Sequence, residues 1–170
     1  MKGLETSAVS EKAKKASYGI VFTSWNADIV QELLLEAKKE LINQGVNENN
    51  IVIKEVPGAF ELPLAAKVVA EANNVSCVIS IGAIIKGDTP HFDFISHACL
   101  DGLQNIAIET GIPMICGVLT TNNIEQAKER SDSNRMNKGK EFAFKCYEYG
   151  RRSRLIDEIK KRHFTGEVKG

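Results

Sequence analysis

Cys77-Val78-Ile79-Ser80-Ile81-Gly82-Ala83-Ile84-Ile85, followed at once by Lys86-Gly87-Asp88-Thr89-Pro90-His91, is the stretch that decides the fold. Its first nine residues are apolar at both odd and even positions. A strand of that kind must be covered on both faces, as strands of parallel sheets are. Residues 19–23, 51–56 and 114–119 read as three further strands of similar character. Helices separate them. Ile29, Val30, Leu33, Leu34, Ala37, Leu41 and Ile42 recur at three- and four-residue spacing, which predicts a helix over 26–44 stopped by Gly45. Residues 60–73 form a second helix, with Pro63 tolerable in its first turn. A third runs over 92–110 and is closed by Gly111 and Pro113. Asn122, with Glu125 three residues later, reads as a capping-box variant opening a short helix to Arg130. The last helix runs from about Lys138 to Arg151 or beyond.

Four alternations of strand and helix predict an α/β fold, a flavodoxin-like three-layer αβα sandwich around a four-stranded parallel sheet. The chain has 170 residues, enough for one domain and a sizeable core. We assign 1–16 to a polar N-terminal arm, 17–151 to the domain and 152–170 to a basic C-terminal extension. Lys plus Arg equals Asp plus Glu at 22 each, so no global basic footprint points to nucleic acid. No apolar run approaches the roughly 20 residues that span a bilayer. Residues 1–15 lack the apolar core of a secretory signal, so a cytoplasmic location is expected. Cys77, Cys99, Cys116 and Cys146 form no Cys-x-x-Cys pair and read as reduced, buried thiols. Zinc-site spacing is absent, so no metal is expected.

In such sheets ligands bind beyond the carboxyl ends of the strands. Four loops lie there: Ser24-Trp25-Asn26, Pro57 to Glu61, Lys86 to His91, and Thr120-Thr121-Asn122. No Gly-x-Gly-x-x-Gly follows the first strand and no Walker lysine loop occurs, which argues against dinucleotide or nucleoside triphosphate binding. In the third loop Gly87 permits a tight turn and Thr89 offers a hydroxyl beside a helix start, the ingredients of an anion pocket. His91 is suited to passing protons near neutrality, although a polar cap at a helix start fits its position equally well. Arg130 and Lys138 bracket a polar loop and can clamp a phosphate; read alone, that loop is an ordinary solvated one. Trp25 can stack on a flat heterocycle, and Glu61 can accept hydrogen bonds from a polyol. His97 and His163 are poor catalytic candidates, and the basic tail reads as a solvated helix extension.

Four blocks carry a resemblance: Val56-Pro57-Gly58-Ala59-Phe60-Glu61-Leu62-Pro63, Gly87-Asp88-Thr89-Pro90-His91-Phe92-Asp93, Gly117-Val118-Leu119-Thr120-Thr121 and Asn137-Lys138-Gly139. In this order and spacing, from about Tyr18 to Tyr149, the chain resembles the 6,7-dimethyl-8-ribityllumazine synthase family. The resemblance implies a transferase that condenses 5-amino-6-ribitylaminouracil with 3,4-dihydroxy-2-butanone 4-phosphate, the penultimate step of riboflavin biosynthesis. It implies no metal and no organic cofactor. Residue by residue, it implies that Trp25 stacks on the pyrimidine, that Ala59, Phe60 and Glu61 grip the pyrimidine and ribityl chain, and that Ala83 and Ile84 meet the ring through backbone. It makes Asp88, Thr89 and Arg130 the phosphate site, Lys138 a supporting lysine, and His91 the proton-transfer residue. Cys116 stands where the family often has a phenylalanine contributed by a neighbouring subunit, and Asn134 where it often has a lysine, with Arg135 beside it as a substitute. The implied assembly is a homopentamer with sites at subunit interfaces; the short 131–139 loop predicts a 60-subunit icosahedral shell. Riboflavin synthase is a candidate partner, while nucleic acid and membrane are not. The rival to the enzyme is a non-catalytic flavin- or lumazine-binding or shell-forming paralogue.

Overall fold

Tyr18, Ile20 and Phe22 are buried on one side of the first strand and Val21 on the other, so this strand has no solvent face. The computed structural model describes residues 13–164. Its strands are β1 (Ser17–Thr23), β2 (Ile51–Val56), β3 (Val75–Ile85) and β4 (Met114–Thr121). Its helices are α1 (Ala27–Asn43), α2 (Leu62–Ala72), α3 (His91–Thr110), α4 (Ile124–Ser131) and α5 (Lys138–Phe164). The strands lie in the order β2-β1-β3-β4, every pairing parallel. The predicted three-layer αβα architecture is the one observed.

Alternation along β3 shows how the layers form. Cys77, Ile79, Ile81 and Ala83 join a core with Leu33, Ala37 and Leu41 of α1, Ala127 of α4, and Phe142 and Cys146 of α5. Val78 joins the opposite core with Leu62, Ala66 and Val69 of α2 and Cys99 and Leu103 of α3. Leu33 and Leu62 are fully buried, and truncating either to alanine costs about 2–5 kcal/mol. Contact between layers is close. A side chain at Gly19 would meet Val69 Cγ1 at 2.6 Å, so α2 lies directly on β1.

The helix stops are local chemistry. Gly45 (φ 94°) ends α1, and Val46 N–H reaches back to Leu41 O at 3.1 Å, a Schellman-type closure. Gly111 (φ 68°) ends α3 in the same left-handed conformation. Several boundaries depart from the sequence reading. Asn26 is not helical but stands before α1 at φ 57°, a conformation asparagine tolerates. A 3-10 turn, Ala59–Glu61, precedes α2, whose first residue is Leu62. The cap of α4 is Asn123, not Asn122: its side chain accepts from Gln126 N–H at 2.9 Å, while Gln126 Oε1 accepts from Asn122 N–H. Ala13 and Ala16 are buried and Tyr18 Oη donates to Ala13 O, so the packed unit begins before Ser17. The rest of the proposed arm, 1–12, lies outside the described residues, as do residues 165–170 of the tail. No described helix is long and apolar enough to cross a membrane.

The order β2-β1-β3-β4 creates a switch point. The chain leaves β1 towards one edge of the sheet and β3 towards the other, so their exits diverge and open a crevice between them. Every candidate loop on that side is placed by this divergence.

Candidate functional site

A pocket of about 460 Å³ fills the crevice between the carboxyl ends of β1, β2 and β3. Its volume falls within the usual range for small-molecule sites, roughly 300–1,000 Å³. Backbone bonds between loops fix its walls. Ser24 N–H donates to Val56 O at 2.9 Å and Trp25 N–H to Pro57 O at 3.3 Å, so the loop after β1 is laced to the loop after β2. Asn26 Nδ2 donates to Ala83 O at 2.8 Å, lacing the same loop to β3. Lys86 N–H donates to Thr121 O at 2.8 Å, which ties the loop after β3 to the end of β4.

On this frame Trp25 and Phe60 stand at the mouth, 74% and 64% exposed, each offering an aromatic face. Glu61 lines the wall, and its Oε2 accepts from Gly58 N–H at 3.0 Å, so the carboxylate is anchored within its own turn. Ala83, Ile84 and Ile85 bring strand-end backbone into the floor. Thr89 and His91 enter from the start of α3. The first-turn amides of a helix have no intrahelical acceptor, so this end favours an anion. Gly87 also lines the pocket; its φ is not left-handed and a Cβ there would meet nothing within 4 Å, so neither the backbone nor the space demands the glycine expected for a tight turn.

Eight residues singled out in the sequence therefore meet in one pocket: Trp25, Ala59, Phe60, Glu61, Ala83, Ile84, Thr89 and His91. Asp88, Cys116, Arg130 and Lys138 do not line it. Asp88 is exposed on the same loop. Arg130 is half-buried on α4 and donates through Nη1 to Gln126 O at 3.0 Å. Lys138 Nζ lies 2.5 Å from Glu141 Oε2. Arg135, beside position 134, donates through Nη2 to Glu129 Oε1 at 2.7 Å in an exposed pair. Cys116 is exposed on β4, a correction to the buried thiol expected; Cys77, Cys99 and Cys146 are buried as expected. Desolvation pushes the Cys99 thiol up to about 12, and raises Cys116 as well despite its open residue surface, because neighbouring atoms still crowd the sulfur. Neither is activated as a nucleophile, since the thiolate is the reactive form.

Sequence reasoning assigned no role to Asn26. The bond it makes to Ala83 spans 57 residues, and no local pattern announces it. Thr23, buried at the end of β1, and Phe92 and Ile95 of α3 complete the lining.

Fold and pocket together define a doubly wound α/β protein with a cavity at its topological switch point, lined by aromatic, carboxylate, imidazole and hydroxyl groups. The family model for 6,7-dimethyl-8-ribityllumazine synthase matches residues 15–154, and the chain belongs to that family.

Proposed function

We propose that the protein condenses 5-amino-6-ribitylaminouracil with 3,4-dihydroxy-2-butanone 4-phosphate to 6,7-dimethyl-8-ribityllumazine, with loss of inorganic phosphate and water. The observation that carries this reading is the convergence of Trp25, Phe60, Glu61, Ala83, Ile84, Thr89 and His91 on one pocket in a chain of this family.

All but the charge on the phosphate can be met by groups that line the pocket. The pyrimidine stacks on Trp25 and reads the backbone of Ala83 and Ile84, while the ribityl hydroxyls donate to Glu61. Holding both reactants in one crevice supplies much of the rate, because their amine and carbonyl then meet without a bimolecular search. His91 moves protons: off the attacking amine, and onto oxygen as water leaves. Thr89 and the start of α3 take the phosphate end of the second substrate. That anion needs cations, and among the described residues of one chain no Lys or Arg lines the pocket. In the proposed assembly Arg130 and Lys138 of a neighbouring copy supply them, with Cys116 of that copy facing the pyrimidine.

Turnover tests the reading. Purified protein with both substrates is expected to form a lumazine by absorbance and to release phosphate. His91→Ala is expected to lower kcat about a hundredfold, the lower end for general acid–base catalysis. Arg130→Ala is expected to lower kcat/KM more severely, about a hundredfold to a thousandfold, the scale of losing one charge-stabilising donor. Folded wild-type protein that makes no product overturns the reading in favour of a non-catalytic paralogue. Unchanged kinetics in Arg130→Ala removes the phosphate role.

A further inference from the structure

The cations proposed for phosphate lie on either side of a loop, and the structure shows what holds that loop. Asn137 precedes α5 with φ 42°, and its side chain works in two directions. Its Oδ1 accepts from Lys140 N–H at 3.1 Å and caps α5. Its Nδ2 donates to Glu36 Oε2 on α1 at 2.8 Å. One turn earlier on α1, Glu32 Oε1 accepts from Ser133 N–H at 3.4 Å. Between these two points the loop is folded on itself: Asn134 N–H and Asn137 N–H both return to Asp132, at 2.8 and 3.1 Å. The loop therefore moves as a unit, and the two α1 carboxylates fix where that unit sits.

We propose that Glu36, acting through Asn137, is a positioning residue for the Arg130–Lys138 loop and sets the geometry with which its cations meet a phosphate group. The inference rests on the reading that these cations serve phosphate. Glu36 is well placed for the task. Lys39 also donates to it at 2.7 Å, so the carboxylate is held from two sides and its side chain is only 12% exposed. A carboxylate accepting a bond from a primary amide fixes that amide's orientation. The amide oxygen is thereby turned towards the start of α5, so one side chain sets both the helix direction and the loop position.

Two substitutions separate this role from simple stability. Asn137→Asp keeps an oxygen to cap α5 and tolerates a positive φ, but replaces the donor by a second carboxylate facing Glu36. Glu36→Ala removes the acceptor, and Glu36→Gln keeps one. The readouts are the Kd for inorganic phosphate by calorimetry and the KM for each substrate, in the assembled full-length protein. Asn137→Asp and Glu36→Ala are each expected to weaken phosphate about tenfold, and to raise KM for the phosphate-bearing substrate alike, with KM for the ribityl pyrimidine changed less than about twofold. Glu36→Gln is expected to restore near wild-type values. Glu36→Ala placed on Asn137→Asp is expected to add no further loss. Unchanged phosphate affinity in folded variants overturns the positioning role alone. An equal rise in both KM values also overturns it, since that is what a merely structural residue would give. Wild-type protein that neither binds phosphate nor turns over removes the functional reading, and this inference with it.

Discussion

At the level of single residues, Gly139 and Glu141 show how narrowly the start of α5 is specified. A Cβ at Gly139 would lie 2.4 Å from Leu33 O and 3.0 Å from Leu33 C, and backbone of a buried helix cannot step aside. Gly139→Ala is therefore expected to destabilise by about 3 kcal/mol or more, the upper end for overpacking, read as a lower midpoint of urea unfolding. Glu141 is bonded first by Lys138 and then by Lys145, and these hold its carboxyl below the ordinary value. A carboxyl lowered in the folded state stabilises above its unfolded pKa of about 4.3 and loses that contribution as pH falls through the folded value. Wild-type stability is thus expected to drop more steeply than that of Glu141→Gln between pH 6 and 3. Urea titrations at each pH check this, and parallel curves would refute it. The effect is modest, because both partners are partly solvated. The motif Asn137-Lys138-Gly139 was visible in the sequence, but the reason for its glycine was not. The close contact with α1 comes from a helix about a hundred residues earlier.

At the scale of elements, what the sequence disclosed followed its periodicity. β3 announced itself by carrying apolar residues on both faces, and the helix stops by Gly45 and Gly111, where the backbone does turn left-handed. Start sites were less legible. Asn122 and Asn123 are chemically identical candidates for capping α4, and only geometry separates them: Asn123 offers its side-chain oxygen to Gln126 N–H, whereas Asn122 contributes its backbone amide. Asn123→Ala is therefore expected to cost about 1 kcal/mol by thermal or urea unfolding, and Asn122→Ala close to nothing, since its N–H survives the change. Equal losses at both positions would contradict the assigned cap. The candidate site divides in the same way. Trp25, Glu61, Thr89 and His91 were reachable from element order, because the switch point gathers the loops after β1, β2 and β3. Asp88 and the loop after β4 follow strands too and do not line the pocket, and Ala59, Phe60, Ala83 and Ile84 were pointed to by the family resemblance. Asn26 escaped notice because its partner is the carbonyl of Ala83, and carbonyls have no signature in a sequence.

For the whole molecule, several large apolar side chains stand on the described surface. Leu64 of α2, Phe94 and Ile108 of α3, and Phe144 and Tyr149 of α5 are half-exposed or more, and β2 and β4 are sheet edges. Such features mark surfaces that other chains cover. The pocket points the same way, since it has an anion-favouring helix end and no Lys or Arg among its described lining residues. A ring in which each chain's α4–α5 region meets its neighbour's pocket would satisfy both, and closed rings of this kind use head-to-tail interfaces. The expected mass by light scattering is that of a shell, about sixty times the 18.7 kDa chain; a lone ring of about five chains would sink the shell but not the shared site. Mixing settles the sharing itself. His91→Ala damages the pocket half and Arg130→Ala the cation half. If one chain held both, a co-assembled mixture would contain no intact site and would show only the average of the two parents' activities. If neighbours share a site, random assembly of equal amounts pairs an intact pocket with an intact cation loop at about a quarter of the interfaces. Co-expressed and co-purified mixed oligomers are therefore expected to recover about a quarter of wild-type turnover, above either parent and above their average. Recovery must also require assembly, because separately folded parents mixed without subunit exchange contain no hybrid interface. Activity no higher than the average of the parents would place both halves within one chain, and the position of Arg130 outside the pocket would then demand a rearrangement of α4.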